Sequence, residues 1–262
     1  MNQTFFGSFF QKRTASFLLV LLAAAAPNLA ATPLSRMDLP WWRTRFEEKQ
    51  AALRSGPVDL LWLGDSITQD FERDGPEPWR NFRPVWTHFY GGRHAVNLGF
   101  NGDATCHLLW RMEHGELDGL HPRAAIVLIG ANNFGKLRWA AGPTLAGIEA
   151  IVAELHARLP GTKILLLGVL PSIRNAWVDE NTAALNHALA ARYGGPTSGV
   201  VFQDLSSLFL HDGRVDPSAF LDPKLTPPDP PLHPNAQTQA RMASAIEPVV
   251  SKMLGDTARD PM

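Results

Sequence analysis

Cysteine is almost absent from this chain: Cys106 is the only one in 262 residues. One thiol excludes an intrachain disulfide, and its distance from the N-terminus excludes lipid attachment at a cysteine following a leader. An excess of charge of one sign is missing as well. Twenty-four Lys and Arg against 25 Asp and Glu leave a net charge of −1, with no basic block and no charged tail. The chain therefore lacks the electrostatic footprint of a nucleic-acid partner. None of the nine histidines falls in an H-E-x-x-H or comparable ligand spacing, so the sequence predicts no metal and no cofactor. Long apolar runs are missing too. The longest, Ala15 to Ala26, is far shorter than the roughly 20 residues that span a bilayer.

What is there points to one domain with a substantial core, since 45% of the residues are hydrophobic. Eight tryptophans and 21 prolines add a loop-rich surface with aromatic lining. The first thirty residues stand apart. Lys12 and Arg13 precede the apolar run, and Pro27 with the small residues Ala30 and Ala31 follow it. That order reads as a secretory signal peptide over 1–30, cut near Ala30 or Ala31, leaving 31–262 as a single domain in the periplasm or outside the cell.

From Val58 onward, short runs rich in Val, Ile and Leu alternate with segments of helical period. The runs are Val58 to Leu63, His94 to Leu98, Ala124 to Ile129, Lys163 to Leu167 and Val200 to Phe202. Such runs suit parallel strands covered on both faces. Leu145, Ile148, Ile151, Val152, Leu155 and Leu159 mark one intervening helix, bracketed by Pro143 and Pro160-Gly161; Met242, Ile246, Val249, Val250 and Met253 mark the last one. The expectation is a three-layer α/β/α sandwich with a five-stranded, mainly parallel sheet. Three stretches break the rhythm and read as loops: Asp70 to Arg93, Ser172 to Val178 and Asp212 to Pro231. In the first of them Trp79, Phe82, Trp86 and Phe89 would either line an acyl pocket or sugar platform, or simply pack.

The chemistry gathers at strand ends. Gly64-Asp65-Ser66 closes the first apolar run and places a hydroxyl at the carboxyl edge of the sheet, where open α/β folds bind ligands. Alone, the tripeptide is also an ordinary turn. Asn97 to Asp103 forms a glycine-punctuated loop opening onto a helix from about Ala104, and Gly102 there either brings a backbone N–H to an oxyanion or serves a tight turn. The third run ends in Gly130-Ala131-Asn132-Asn133, whose asparagines are either amide donors or turn formers. His233 sits between Leu232 and Pro234 ahead of the last helix, where it would be a base for Ser66. The other eight histidines read as structural or solvated. Asp65 and Asp103 read as loop braces through short side-chain to backbone bonds, and Asn133 as a loop stabiliser.

In this order, Ser66, Gly102, Asn132 and His233 resemble the four blocks of the GDSL family, also called SGNH hydrolases. The run from Gly102 through Leu109-Trp110-Arg111-Met112 and Gly115-Glu116-Leu117 to Gly130-Ala131-Asn132-Asn133 is similar to one branch, the platelet-activating factor acetylhydrolase Ib catalytic subunits. The resemblance covers roughly Val58 to Val250. It implies a flavodoxin-like sheet, Ser66 as nucleophile, His233 as general base and then acid, and an oxyanion hole made of the Ser66 N–H, the Gly102 N–H and the Asn132 side chain. It also implies an acid three residues before the histidine, but Pro230 stands there. Asp229 is the preferred replacement, with Asp222 or a dyad without an acid as alternatives.

The expectation is thus an exported serine esterase that removes a short acyl group such as acetyl from a small ester or an acetylated glycan, with a homodimer as the expected assembly if it forms one. Acyl transfer to a sugar hydroxyl would need the same groups. A non-catalytic binding protein on the same fold is the reading from another class.

Overall fold

The computed structural model describes residues 28–75, 81–195, 199–221 and 231–262. The five apolar runs form strands β1 (Leu60–Gly64), β2 (Ala95–Gly99), β3 (Ala124–Leu128), β4 (Lys163–Leu167) and β5 (Val200–Gln203). All pair in parallel, in the order β2-β1-β3-β4-β5. Every residue of β1 and β3 is buried, which is why these central strands read as unbroken apolar runs. Gly64 lies opposite both Gly99 and Leu128, so the three strands that precede the candidate site residues end level with one another. The chain reverses its direction of winding between β1 and β3, the switch point at which folds of this strand order open a crevice.

Helices α1 (Pro40–Arg54), α2 (Ser66–Gln69), α3 (Arg83–Tyr90), α4 (Thr105–Arg111), α5 (Ala131–Gly135), α6 (Ala141–Arg158), α7 (Ala176–Tyr193) and α8 (Ala236–Leu254) complete the described fold. The periodic residues meet the core as anticipated: α6 buries Ile148, Ile151, Val152 and Leu155, and α8 buries Met242, Ile246, Val250 and Met253. None of the described helices is long and apolar enough to cross a membrane.

The three expected loops carry more structure than the sequence pattern suggested. Pro84 sits in the first turn of α3, where a missing N–H costs nothing, and Val85, Phe89 and Tyr90 anchor the helix inward. Phe82 and Phe89 are buried, and Trp86 packs with its ring centroid 5.0 Å from that of Tyr90 and 5.8 Å from that of Phe71. These rings are core, and Trp79 lies outside the described residues. The second stretch gives way to α7 at Ala176, capped by the Asn175 side chain accepting from the Val178 N–H. The third begins at the turn of a two-strand hairpin, in which β6 (Leu210–His211) just ahead of it pairs with β7 (Arg214–Val215), and continues into a turn at Pro217–Ala219.

The N-terminal end of the described chain is woven into this body. Leu29–Ala31 forms a turn in which Ala30 is fully buried, and its carbonyl accepts the Thr105 hydroxyl at 2.7 Å. At the carboxyl edge the chain packs tightly. A side chain at Gly99 would collide with the backbone of Gln69 and Asp65, so the short helix α2 can rest on the end of β2 only because residue 99 is a glycine.

Candidate active site

Ser66 opens α2 directly behind β1 and is buried apart from a small exposed fraction. The preceding Asp65 caps this helix, and its carboxylate accepts the Ile67 N–H at 3.0 Å. This fixes the turn that presents the serine. His233 arrives from the far end of the chain, and its Nε2 lies 2.8 Å from the Ser66 oxygen, the distance at which an imidazole can accept the hydroxyl proton. The chain on the C-terminal side of the histidine is anchored twice. Its carbonyl accepts the Leu221 N–H at 2.9 Å, and Asn235 caps α8 while donating to the Ser218 carbonyl at 2.6 Å.

Gly102 follows β2 with φ of +75°, a left-handed conformation that side chains disfavour. Its loop is tied to the nucleophile helix, because the Gln69 side-chain oxygen accepts the Asn101 N–H at 2.7 Å. Asn132 lies buried in α5, and its Nδ2 donates to the Asp103 carbonyl at 2.9 Å and to the Asp65 carboxylate at 3.3 Å. Two acceptors flank that atom, so the amide turns its NH₂ group, and not its oxygen, toward the Ser66 and Gly102 loops. Ser66, Gly102, Asn132 and His233 therefore meet at one edge of the sheet. Asp229 and Asp222 lie outside the described residues.

A family model described as the GDSL-like Lipase/Acylhydrolase family matches residues 62–241. The chain belongs to this family. It is 32% identical over 238 residues to the platelet-activating factor acetylhydrolase IB subunit alpha2 of Rattus norvegicus, covering 89% of this chain and 95% of the relative. With the alpha1 subunit of Bos taurus the identity is 31% over 194 residues, 72% of this chain and 78% of that one. Among solved structures, a GDSL-like lipase from Bacteroides thetaiotaomicron superposes with a TM-score of 0.60 at 16% identity, over 80% of this chain and 97% of the other. A carbohydrate acetylesterase family member from Sinorhizobium meliloti gives 0.55 at 19% identity, over 76% and 99%. These findings make the protein a carboxylic ester hydrolase of the GDSL type with the family's α/β sheet.

Several parts of this GDSL site escaped sequence reasoning. Asn97 donates to the Thr68 carbonyl at 2.7 Å and accepts the Gly99 N–H at 2.9 Å, joining β2 to the nucleophile helix. Its only signal was an amide inside an apolar run. Asp103 differs from its expected role as a local brace. Its carboxylate is fully buried and receives Arg36 at 2.8 Å, the Trp42 indole N–H at 2.9 Å and Arg111 at 3.0 Å, all from other elements. Arg111 continues to the buried Glu116 and stacks 4.0 Å from the Phe100 ring centroid. Asn133, by contrast, has the loop-stabilising part expected of it, bonding Thr105 through both ends of its amide at 3.1 and 2.8 Å.

Burial shapes the titration of the site. Desolvation pushes the Asp65 carboxyl up to about 7, against the pull of the Ile67 N–H, so near neutral pH much of it is uncharged beside the serine. Desolvation also lowers His107 to about 4, with the charges of Arg36, Arg111 and Lys136 acting in the same direction against Asp103. The His107 Nδ1 accepts the Ala104 N–H at 2.9 Å, a bond that protonation would break. Between about pH 4 and 6.5 the unfolded chain binds a proton here that the folded chain refuses, so this residue makes stability rise with pH across that window. Replacing His107 with Gln, which keeps an acceptor but does not titrate, should flatten the pH dependence of the urea unfolding free energy by up to about 1.4 kcal/mol per pH unit there. Parallel pH profiles for the two proteins would contradict the assignment.

Proposed function

We propose that this protein is an exported serine esterase that removes acetyl groups from oxygen esters through an acyl-enzyme at Ser66. The observation that carries the reading is the 2.8 Å contact between His233 Nε2 and the Ser66 hydroxyl at the sheet's switch point. In this mechanism His233 takes the hydroxyl proton as Ser66 attacks the ester carbonyl, then delivers it to the departing alcohol. Water, deprotonated by the same imidazole, then releases acetate. Negative charge developing on the carbonyl oxygen is met by the N–H groups of Ser66 and Gly102 and by the Asn132 amide, whose longer bond to Asp65 is the one exchanged for the oxyanion. Asp229, four residues before His233, orients the imidazole in place of the acid that Pro230 displaces.

Support for a short acyl group comes from two directions. The relatives carry acetylhydrolase and acetylesterase in their names, and the described residues Gln69, Asp70, Glu72, Arg73 and Asn101 line a cavity of about 190 Å³ beside Ser66. Acetylated glycans and small acetyl esters are the substrates this favours. The leader-like composition of the first thirty residues supports export. Its charged and apolar parts lie outside the described residues, while the packing of Ala30 beneath Thr105 favours a cut upstream of Asn28 over one at Ala30 or Ala31.

On p-nitrophenyl acetate, Ser66→Ala and His233→Ala should each lower kcat by about 10³-fold or more, and Asp229→Asn should lower it much more than Asp222→Asn. A Ser66→Ala enzyme at the wild-type rate would sink the assignment, and the reverse order of the aspartate variants would move the orienting role to Asp222. For export, N-terminal sequencing of protein recovered from the periplasm or medium should begin before Asn28. A mature protein that retains Met1 would refute the leader.

A further inference from the structure

Lys136 follows directly on the helix that carries Asn132, and its backbone N–H closes that helix by donating to the Asn132 carbonyl at 3.0 Å. Its side chain reaches across to the neighbouring loop. A Cβ built on Gly102 would fall on the Lys136 Nζ and would stand 3.5 Å from both terminal nitrogens of the Arg36 guanidinium. The glycine thus leaves space for an ammonium group directly over the loop expected to bind the oxyanion, with a second cation at its side.

The two cations differ in what holds them. Arg36 is committed to Asp103 and to the Asn101 carbonyl, at 2.8 and 2.9 Å. Lys136 is exposed, and among the described residues no carboxylate lies within ion-pairing distance of it. The anions nearby cannot balance it. Asp103 is enclosed between Arg36 and Arg111, and burial holds much of Asp65 in the neutral form. Arg174 adds a third cation to this rim, fixed by the Ala131 carbonyl at 2.9 Å beside Gly135. On the opposite side of Ser66 the cations Arg45, Lys49 and Arg73 all have carboxylate partners, Glu72 for the first two and Asp70 for the third. Among the described residues, positive charge without a carboxylate partner therefore faces the mouth of the site on the Gly102 side.

We propose that Lys136 is a specificity-determining residue that pairs with an anionic group, a carboxylate or a phosphate, on the alcohol part of the substrate. The anion must belong to the alcohol because an acetyl group has only a methyl beyond its carbonyl. This inference rests on the esterase reading above and names the substrate class of that same site: acetylated acidic sugars or acetylated phosphate esters in preference to neutral acetyl esters. An ammonium paired at the edge of a desolvated pocket contributes chiefly to capture of the substrate, so its effect falls on KM and weakens with salt.

The test compares kcat/KM for two matched pairs: methyl O-acetylglucoside against methyl O-acetylglucuronoside, and glycerol monoacetate against its phosphate monoester. The wild type should prefer the anionic member of at least one pair, and the pair showing the larger ratio identifies carboxylate or phosphate as the group recognised. Lys136→Ala should reduce that ratio by about tenfold through KM, Lys136→Glu should reduce it further, and Lys136→Arg should restore most of it. Added salt should erode the wild-type ratio and leave the Lys136→Ala ratio flat. A wild-type ratio near one, or a ratio that Lys136→Ala leaves unchanged because both members slow together, would overturn the assignment to Lys136 alone. Failure of the wild type to hydrolyse any of the four esters would overturn the esterase reading itself.

Discussion

The buried carboxylate of Asp103 is the interaction on which the site depends. It collects Arg36 and Trp42 from the N-terminal segment and Arg111 from α4, while its backbone carbonyl accepts the Asn132 amide. Gly102, the residue beside it, can hold a left-handed conformation at the mouth of the site because its neighbour is fixed on three sides. A carboxylate buried this deeply is stable only while its partners remain, and removing one partner of such a group typically costs about 3–5 kcal/mol. Two of the three donors, Arg36 and Trp42, lie ahead of the region matched by the family model, which begins at residue 62. The segment before the family's core is accordingly part of the machinery that holds the loop of Gly102.

Around this anchor the parallel sheet does the long-range positioning. Because β1, β2 and β3 finish in register, the residues that follow them emerge at one level: Ser66 after β1, Gly102 after β2 and Asn132 after β3. His233 is delivered from the other end of the chain by α8, whose Gln239 donates to the Ile67 carbonyl in the nucleophile helix at 3.1 Å. Charge is then partitioned by side. On one wall Arg45, Lys49 and Arg73 are paired with Glu72 and Asp70, and on the Gly102 rim Lys136 has no carboxylate partner among the described residues.

The strands were legible in the sequence because parallel strands buried on both faces must be apolar throughout, and each was found within about two residues of its place. The four residues that meet at the sheet edge were legible through their order along the chain, which resembles the four blocks of the GDSL family, whereas Ser66, Gly102 and Asn132 each taken alone also read as ordinary turn chemistry. What escaped was of two kinds. Helix α3 hid behind Pro84 and a cluster of aromatic residues that resemble a binding surface as much as a core, and only burial separates those readings. The Asp103 network escaped because its bonded partners are up to 67 residues apart in sequence, and spacing along the chain says nothing about charges that meet only after folding. Lys136 escaped for the same reason, since its position over Gly102 depends on a glycine 34 residues earlier. The sequence leaves open which acid, if any, would orient His233, because Pro230 stands where the family resemblance implies one.

The central claim is that Ser66 becomes covalently acylated. Mass spectrometry of the protein quenched during turnover of an acetyl ester tests it most directly, with the peptide that contains Ser66 read for an acetyl group. The account predicts an acetyl adduct on Ser66 that forms in the wild type, disappears as substrate is exhausted and is absent from a Ser66→Ala protein that is still folded. Turnover with no adduct on Ser66 at any quench time, together with an adduct on another residue, would contradict it.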